Sequence, residues 1–95
     1  MTSATKNVFI VGAKRTPFGS FGGKLKNFSA VDLGVISSKA AIAHAKVSPD
    51  QIDETFFGNC IQSGMDSPYL ARHVQLRSGG PIPSPSLTIN RLCGR

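Results

Sequence analysis

The apolar positions change their period several times along the chain, and each change marks an element. Val8-Phe9-Ile10-Val11 is an unbroken apolar run closed by Gly12. It predicts a strand buried on both faces, and hence a parallel sheet covered by helices. Leu33, Ile36, Ala40, Ala43 and Val47 then recur at intervals of three and four, one stripe of an amphipathic helix. Ser29 and Asp32 stand ahead of it at the capping-box spacing, and Ser48-Pro49-Asp50 ends it with a proline suited to the first turn of a short second segment. Residues 54–62 are a second strand rich in aromatics, where Gly58 predicts a bend or a close backbone approach. Ser67 and Pro68 predict the cap and first position of a second helix that runs to about Arg77 and stops at Gly79. Leu70, Val74 and Leu76 are its core positions, with Arg72 and Arg77 in solvent near its negative end. Pro81, Pro83 and Pro85 stiffen the approach to a last strand, in which Leu87, Ile89 and Arg91 alternate against Thr88, Asn90 and Leu92.

The resulting order, β-α-β-α-β with short connections, predicts an α/β fold with a mostly parallel sheet and right-handed crossovers. Ninety-five residues, 40% of them apolar, make one small domain or part of a larger one. No apolar run approaches the ~18 residues of a membrane span. The net charge of +6 is unevenly placed: Lys6, Lys14, Arg15, Lys24 and Lys26 precede the first acid, Asp32. A solvated basic face, an acid-poor mitochondrial import signal at the N-terminus and a patch for phosphates or other anions all fit this distribution. Nucleic acid is not expected as a partner, because the aromatics do not interleave with a basic cluster and no reader motif is present.

The chemistry the residues could carry narrows quickly. Gly19, Gly22 and Gly23 invite comparison with a phosphate loop, but Gly23-Lys24 is followed by Leu25 rather than serine or threonine. Cys60, Cys93, His44 and His73 lack any metal-ligand spacing, so no metal site is expected. Both histidines read as boundary packing residues, and the five scattered acids are not a catalytic pair. Two cysteines without a secreted framework point to a reducing compartment. Cys60, among apolar neighbours, reads as a small buried hydrophobe. Cys93, just past a strand end and beside Gly94, sits where a helix would begin in an α/β fold, and a helix N-terminus favours a thiolate. A nucleophile and a plain buried cysteine both fit that position.

A family resemblance adds to this reading. Residues 8–19, Val8-Phe9-Ile10-Val11-Gly12-Ala13-Lys14-Arg15-Thr16-Pro17-Phe18-Gly19, look like the opening strand and loop of the thiolases. Gly58-Asn59-Cys60-Ile61-Gln62-Ser63-Gly64 is similar to their second strand, and Tyr69-Leu70-Ala71-Arg72-His73-Val74 to the helix after it. Thr88-Ile89-Asn90-Arg91-Leu92-Cys93-Gly94 resembles the segment that holds their acyl-accepting cysteine. The matches keep their order over nearly the whole chain, and their details lean towards the mitochondrial, fatty-acid-degrading branch.

The resemblance implies an incomplete thiolase-like N-terminal domain spanning residues 1–95, with 1–6 flexible and the chain ending just after the nucleophile motif. It implies Cys93 as catalytic nucleophile, with coenzyme A and acyl-CoA as substrates and no bound cofactor. The reaction would be CoA-dependent cleavage of a 3-ketoacyl-CoA, or the reverse condensation, in the mitochondrial matrix behind an uncleaved N-terminal signal. The family draws its base from a Gly-His-Pro stretch, and its other groups from a second cysteine and the asparagine of an Asn-Glu-Ala-Phe stretch. None of these occurs in the sequence, so the isolated chain is expected to be inactive. The alternative is an inactive fragment that acts only as an interaction partner, pairing with full-length thiolase or with itself. Two departures stand out: Arg95 follows Gly94 where the family continues with serine, and Cys60 stands where valine is usual.

Overall fold

A computed structural model describes residues 6–94. The elements are helix α1 (Ala30–Ala45), strand β1 (Thr55–Gly58), helix α2 (Leu70–Arg77) and strand β2 (Ser86–Ile89), with single 3-10 turns at Pro49–Gln51, Ser67–Tyr69 and Leu92–Gly94. The strands pair in parallel, Thr55 with Ser86 through Gly58 with Ile89, and α2 makes the crossover between them. The α/β class and the parallel sheet therefore match the sequence pattern. The expected flexible stretch at residues 1–6 lies outside the described residues except for Lys6, which is exposed.

The first strand does not form. Val8–Val11 is neither paired nor buried, with exposures of 89, 76, 89 and 65% along the run. An apolar run becomes a buried strand only where a neighbour completes its ladder and both faces are covered. Among the described residues the sheet has two strands, which pair with each other. The run instead leads into a contact with α1. The Ala13 amide donates to His44 Nδ1 at 3.4 Å, and a Cβ on Gly12 would come within 2.6 Å of the Ala41 carbonyl.

Helix α1 begins as its sequence indicates. Ser29 Oγ accepts from the Asp32 amide and Asp32 Oδ2 from the Ser29 amide, both at 3.0 Å. Lys46 ends the helix in the left-handed region at φ 58°. The buried face, however, is not the stripe of largest apolar residues. Val31, Gly34 and Val35 turn inward, while Ile36 is 48% exposed and Ala40 and Ala43 lie in solvent. Gly34 is the reason: its missing side chain admits Val74 of α2, whose Cγ2 lies 2.8 Å from where a Cβ would stand. A close helix contact selects the narrowest face rather than the most hydrophobic one. Val31, Val35, Leu70 and Val74 form the core, with Phe57 of β1 packed against them.

Helix α2 departs from expectation in three places. Ser67 does not cap α2: it lies inside the preceding 3-10 turn, whose first flanking residue is Asp66 with no side-chain capping bond, and its Oγ accepts from the Gly64 amide at 2.8 Å. Leu76 is 42% exposed, and Ala71 and Gln75 take inward positions beside Leu70 and Val74. Arg72 is no solvated end charge. Its guanidinium donates to the carbonyls of Ser84 at 2.9 Å and Ile82 at 2.8 Å, and to Gln75 Oε1 at 2.9 Å. That fork holds the proline-rich approach to β2 against the helix, a task for which arginine's planar donors are suited.

The two helices are also tied at their ends. Asp32 Oδ1 accepts from Arg77 Nη2 at 3.0 Å. The Ser29 amide and then the Arg77 guanidinium hold the Asp32 carboxyl below its ordinary value of 3.8. A depressed folded-state value stabilises the fold fully above 3.8, and that contribution disappears as pH falls through the lowered value. Asp32→Asn is accordingly expected to flatten the acid limb of a stability-against-pH curve below pH 3.8, measured by urea unfolding at successive pH values. An unchanged limb would show that the carboxyl contributes nothing there.

Candidate active site

Strand β2 aims the chain at Cys93. Its start is fixed where the Thr55 amide donates to the Pro85 carbonyl at 3.2 Å, and its end where the Asn59 amide donates to the Ile89 carbonyl at 2.9 Å. Thr88 Oγ1 accepts from the Ala71 amide at 3.0 Å, which seats the strand against the first turn of α2. Alternation then places Thr88 towards the helices and Leu87, 53% exposed, on the opposite face beside Phe56, 58% exposed.

Past Ile89, the side chain of Asn90 takes over from the ladder. Its Nδ2 donates to the Cys60 carbonyl at 3.2 Å, and its Oδ1 accepts from the Leu92 amide at 3.3 Å. The second bond is an Asx turn, a local alternative to regular backbone pairing. It coincides with Leu92 in the left-handed region at φ 52°, an unfavourable place for a branched residue. The Gly94 amide then closes the turn on the Arg91 carbonyl at 3.0 Å. Cys93 stands exposed in this turn and is not in a disulfide.

Cys93 is exposed and so is not a buried packing residue. Cys93 lies within a single 3-10 turn, Leu92–Gly94. Cys60 is half-buried beside the end of β1, less enclosed than its neighbours suggested. The histidines are engaged away from this turn, His44 with the Ala13 amide and His73 with Asp66 Oδ1 at 3.8 Å. No three His, Cys, Asp or Glu side chains gather among the described residues. A groove of about 540 Å³ lies elsewhere, lined by Gly12, Ala41, Thr55, Phe56 and Gln75 among others. Among the described residues no helix is long and apolar enough to cross a membrane.

Sequence reasoning singled out Cys93 and passed over Asn90, whose side chain bonds both sides of the turn. The available signal was an asparagine two residues before a turn, the spacing at which its side chain can accept from the backbone.

A parallel β-α-β unit thus delivers an exposed cysteine to a tight turn after its second strand. The sequence matches the thiolase N-terminal domain across residues 8–95, and the chain belongs to the thiolase family. It is 56% identical to human mitochondrial 3-ketoacyl-CoA thiolase over 94% of its length, and 44% identical over the same share to an acetyl-CoA acetyltransferase of Clostridioides difficile. The crystal structure of the human mitochondrial enzyme in complex with CoA superposes with a TM-score of 0.88 at 57% identity, over 90% of this chain and 22% of that one. The Acat5 thiolase of Ascaris suum, also in complex with coenzyme A, gives 0.83 at 38% identity, with the same coverage of each chain. The chain thus spans about a fifth of the mitochondrial thiolases it matches, 22% of the human one.

Proposed function

We propose that this chain carries the acyl-accepting segment of a thiolase acting on 3-ketoacyl-CoA in mitochondrial fatty-acid β-oxidation, with Cys93 as the nucleophile. The observation that supports this most is the placement of Cys93, exposed in the turn that Asn90 builds at the end of β2, within a segment of family-level similarity. The chemistry divides one hard step in two. The Cys93 thiolate attacks the 3-keto carbon, and the bond between the α and β carbons breaks. Acetyl-CoA leaves as its enolate and takes a proton. The thiol of coenzyme A then attacks the Cys93 thioester, carries the acyl group away and returns the sulfur as thiolate. Preorganised donors for the enolate and for the thioester oxygen would have to come from residues beyond these 95.

A mitochondrial setting belongs to the same reading and draws support from the relatives' names. The uncleaved signal would lie at residues 1–6, of which 1–5 are outside the described residues. A second thiolase polypeptide as partner is also part of it, and the sheet face bearing Phe56 and Leu87 is open to one. Two assays test the proposal. The 95-residue chain alone is expected to cleave no 3-ketoacyl-CoA above background. Residues 1–94 fused to the remaining sequence of the human relative are expected to restore CoA-dependent cleavage. An inactive, well-folded fusion would overturn the proposal.

A further inference from the structure

Cys60 and Cys93 are 33 positions apart in the sequence, and the fold joins their backbones through one side chain. The register Gly58 with Ile89, continued by the Asn59 amide on the Ile89 carbonyl at 2.9 Å, brings the chain at Cys60 alongside the start of the turn that carries Cys93. The amide of Asn90 spans what remains. It donates to the Cys60 carbonyl at 3.2 Å and accepts from the amide of Leu92, next to Cys93, at 3.3 Å. Continued by two residues, that register sets Cys60 opposite Arg91, two positions short of Cys93; adjacent strands lie about 4.8 Å apart, and a disulfide needs Cα atoms about 4.4 to 6.8 Å apart. The adjustment between those requirements falls on the exposed Leu92–Gly94 turn, whose Leu92 already occupies an unfavourable region at φ 52°. Cys93 is exposed, Cys60 half-buried, and neither is in a disulfide. By the thiolase resemblance a valine is usual at position 60, so the second thiol is a departure from the family's usual pattern.

We infer that Cys60 is a resolving thiol for Cys93, and that small-molecule disulfides drive the pair into an intramolecular bridge. The Cys93 thiolate attacks one sulfur of the small disulfide; that S–S bond breaks, one half leaves as a thiolate, and a mixed disulfide forms. The Cys60 thiolate then attacks the Cys93 sulfur, and the second half leaves. Two protein thiols are oxidised, one small disulfide is reduced to two thiols, and the protons of Cys93 and Cys60 go to the departing thiolates. If Cys93 accepts acyl groups, as proposed above, the bridge withholds it from them and reduction returns it.

The test reads sulfur linkage rather than turnover, so it stands apart from the acyl-transfer proposal. The 95-residue chain is equilibrated in buffers of reduced and oxidised glutathione, quenched with an alkylating reagent and digested with trypsin. The bridge joins peptide 47–72 to peptide 92–95, and its fraction gives the effective concentration of one thiol for the other. The same measurement in guanidinium chloride supplies the chance-encounter value of a flexible chain, in the millimolar range. The native value is expected to exceed it by roughly tenfold or more. Asn90→Ala is expected to lose most of that excess, and Cys60→Val to form only the mixed disulfide. Equal values with and without denaturant, or bridging chiefly between Cys93 residues of two chains, would overturn the inference. An undiminished value in Asn90→Ala would overturn the part assigned to the asparagine amide.

Discussion

Exchange of Cys93 for serine in the fused polypeptide is expected to bring 3-ketoacyl-CoA cleavage down by a factor on the order of 10⁴ or more, the scale on which enzymes respond to loss of their nucleophile. Serine fits the same exposed turn and leaves the bonds of Asn90 and Gly94 in place. It differs where the reaction is decided. A thiol supplies a few per cent of thiolate at neutral pH, whereas an unassisted hydroxyl supplies almost none. The substitution therefore removes the chemistry and spares the fold. CoA-dependent loss of 3-ketoacyl-CoA measures the rate, and mass analysis of the peptide that contains position 93 measures the acyl adduct. Activity within tenfold of the parent would mean that another group accepts the acyl chain. Cys60→Val, made in parallel, is expected to leave the reduced enzyme's rate unchanged.

Gly34→Val is expected to be the most damaging single change in the core, lowering the stability of the folded chain by about 3 kcal/mol through overpacking. Two effects oppose each other at this position. Any side chain improves on glycine in a helix interior, by up to about 1 kcal/mol for alanine and less for a β-branched residue. Against that, a Cβ would lie 2.8 Å from Val74 Cγ2, and Val74 is 1% exposed and held in the core with Val31, Val35 and Leu70. The clash wins, and it grows with each added methyl group. Urea unfolding of Gly34→Ala, Gly34→Val and the pair Gly34→Ala with Val74→Ala tests the mechanism. The double variant should be more stable than the sum of its single effects, because the alanine at 74 vacates the volume the alanine at 34 needs. Simple additivity would show that the helices separate freely and that Gly34 does not set their distance.

The parts of this fold that could be read from sequence are those governed by neighbours in the chain. Ser29 and Asp32 announce a helix start because their bonds close within one turn. Gly79 announces a helix end and is found at φ 92°. The parts that could not be read depend on what lies across space. Gly34 counts as a gap in a hydrophobic stripe, yet it decides which face of α1 turns inward. Arg72 counts as a terminal charge, yet three acceptors, the furthest 12 residues along the chain, enclose it. Val8–Val11 has every attribute of a buried strand except a partner for its ladder. Cys93 was singled out from its place after a strand and from family resemblance, and the structure adds that it is exposed rather than a buried packing residue. Asn90 was passed over because alternation assigns it only a side of the strand.

The left-handed Leu92 has a consequence for how the turn behaves over time. An L-residue held in that mirror-image region stores about 1 to 2 kcal/mol, and here the store sits one residue from the reactive sulfur. The Leu92 side chain is 69% exposed, so little of that energy is recovered by packing. The Asn90 amide therefore works as a latch on a loaded spring. Its 3.3 Å bond to Leu92 is one of the restraints on that strained turn, so weakening it is expected to shift where the thiol sits.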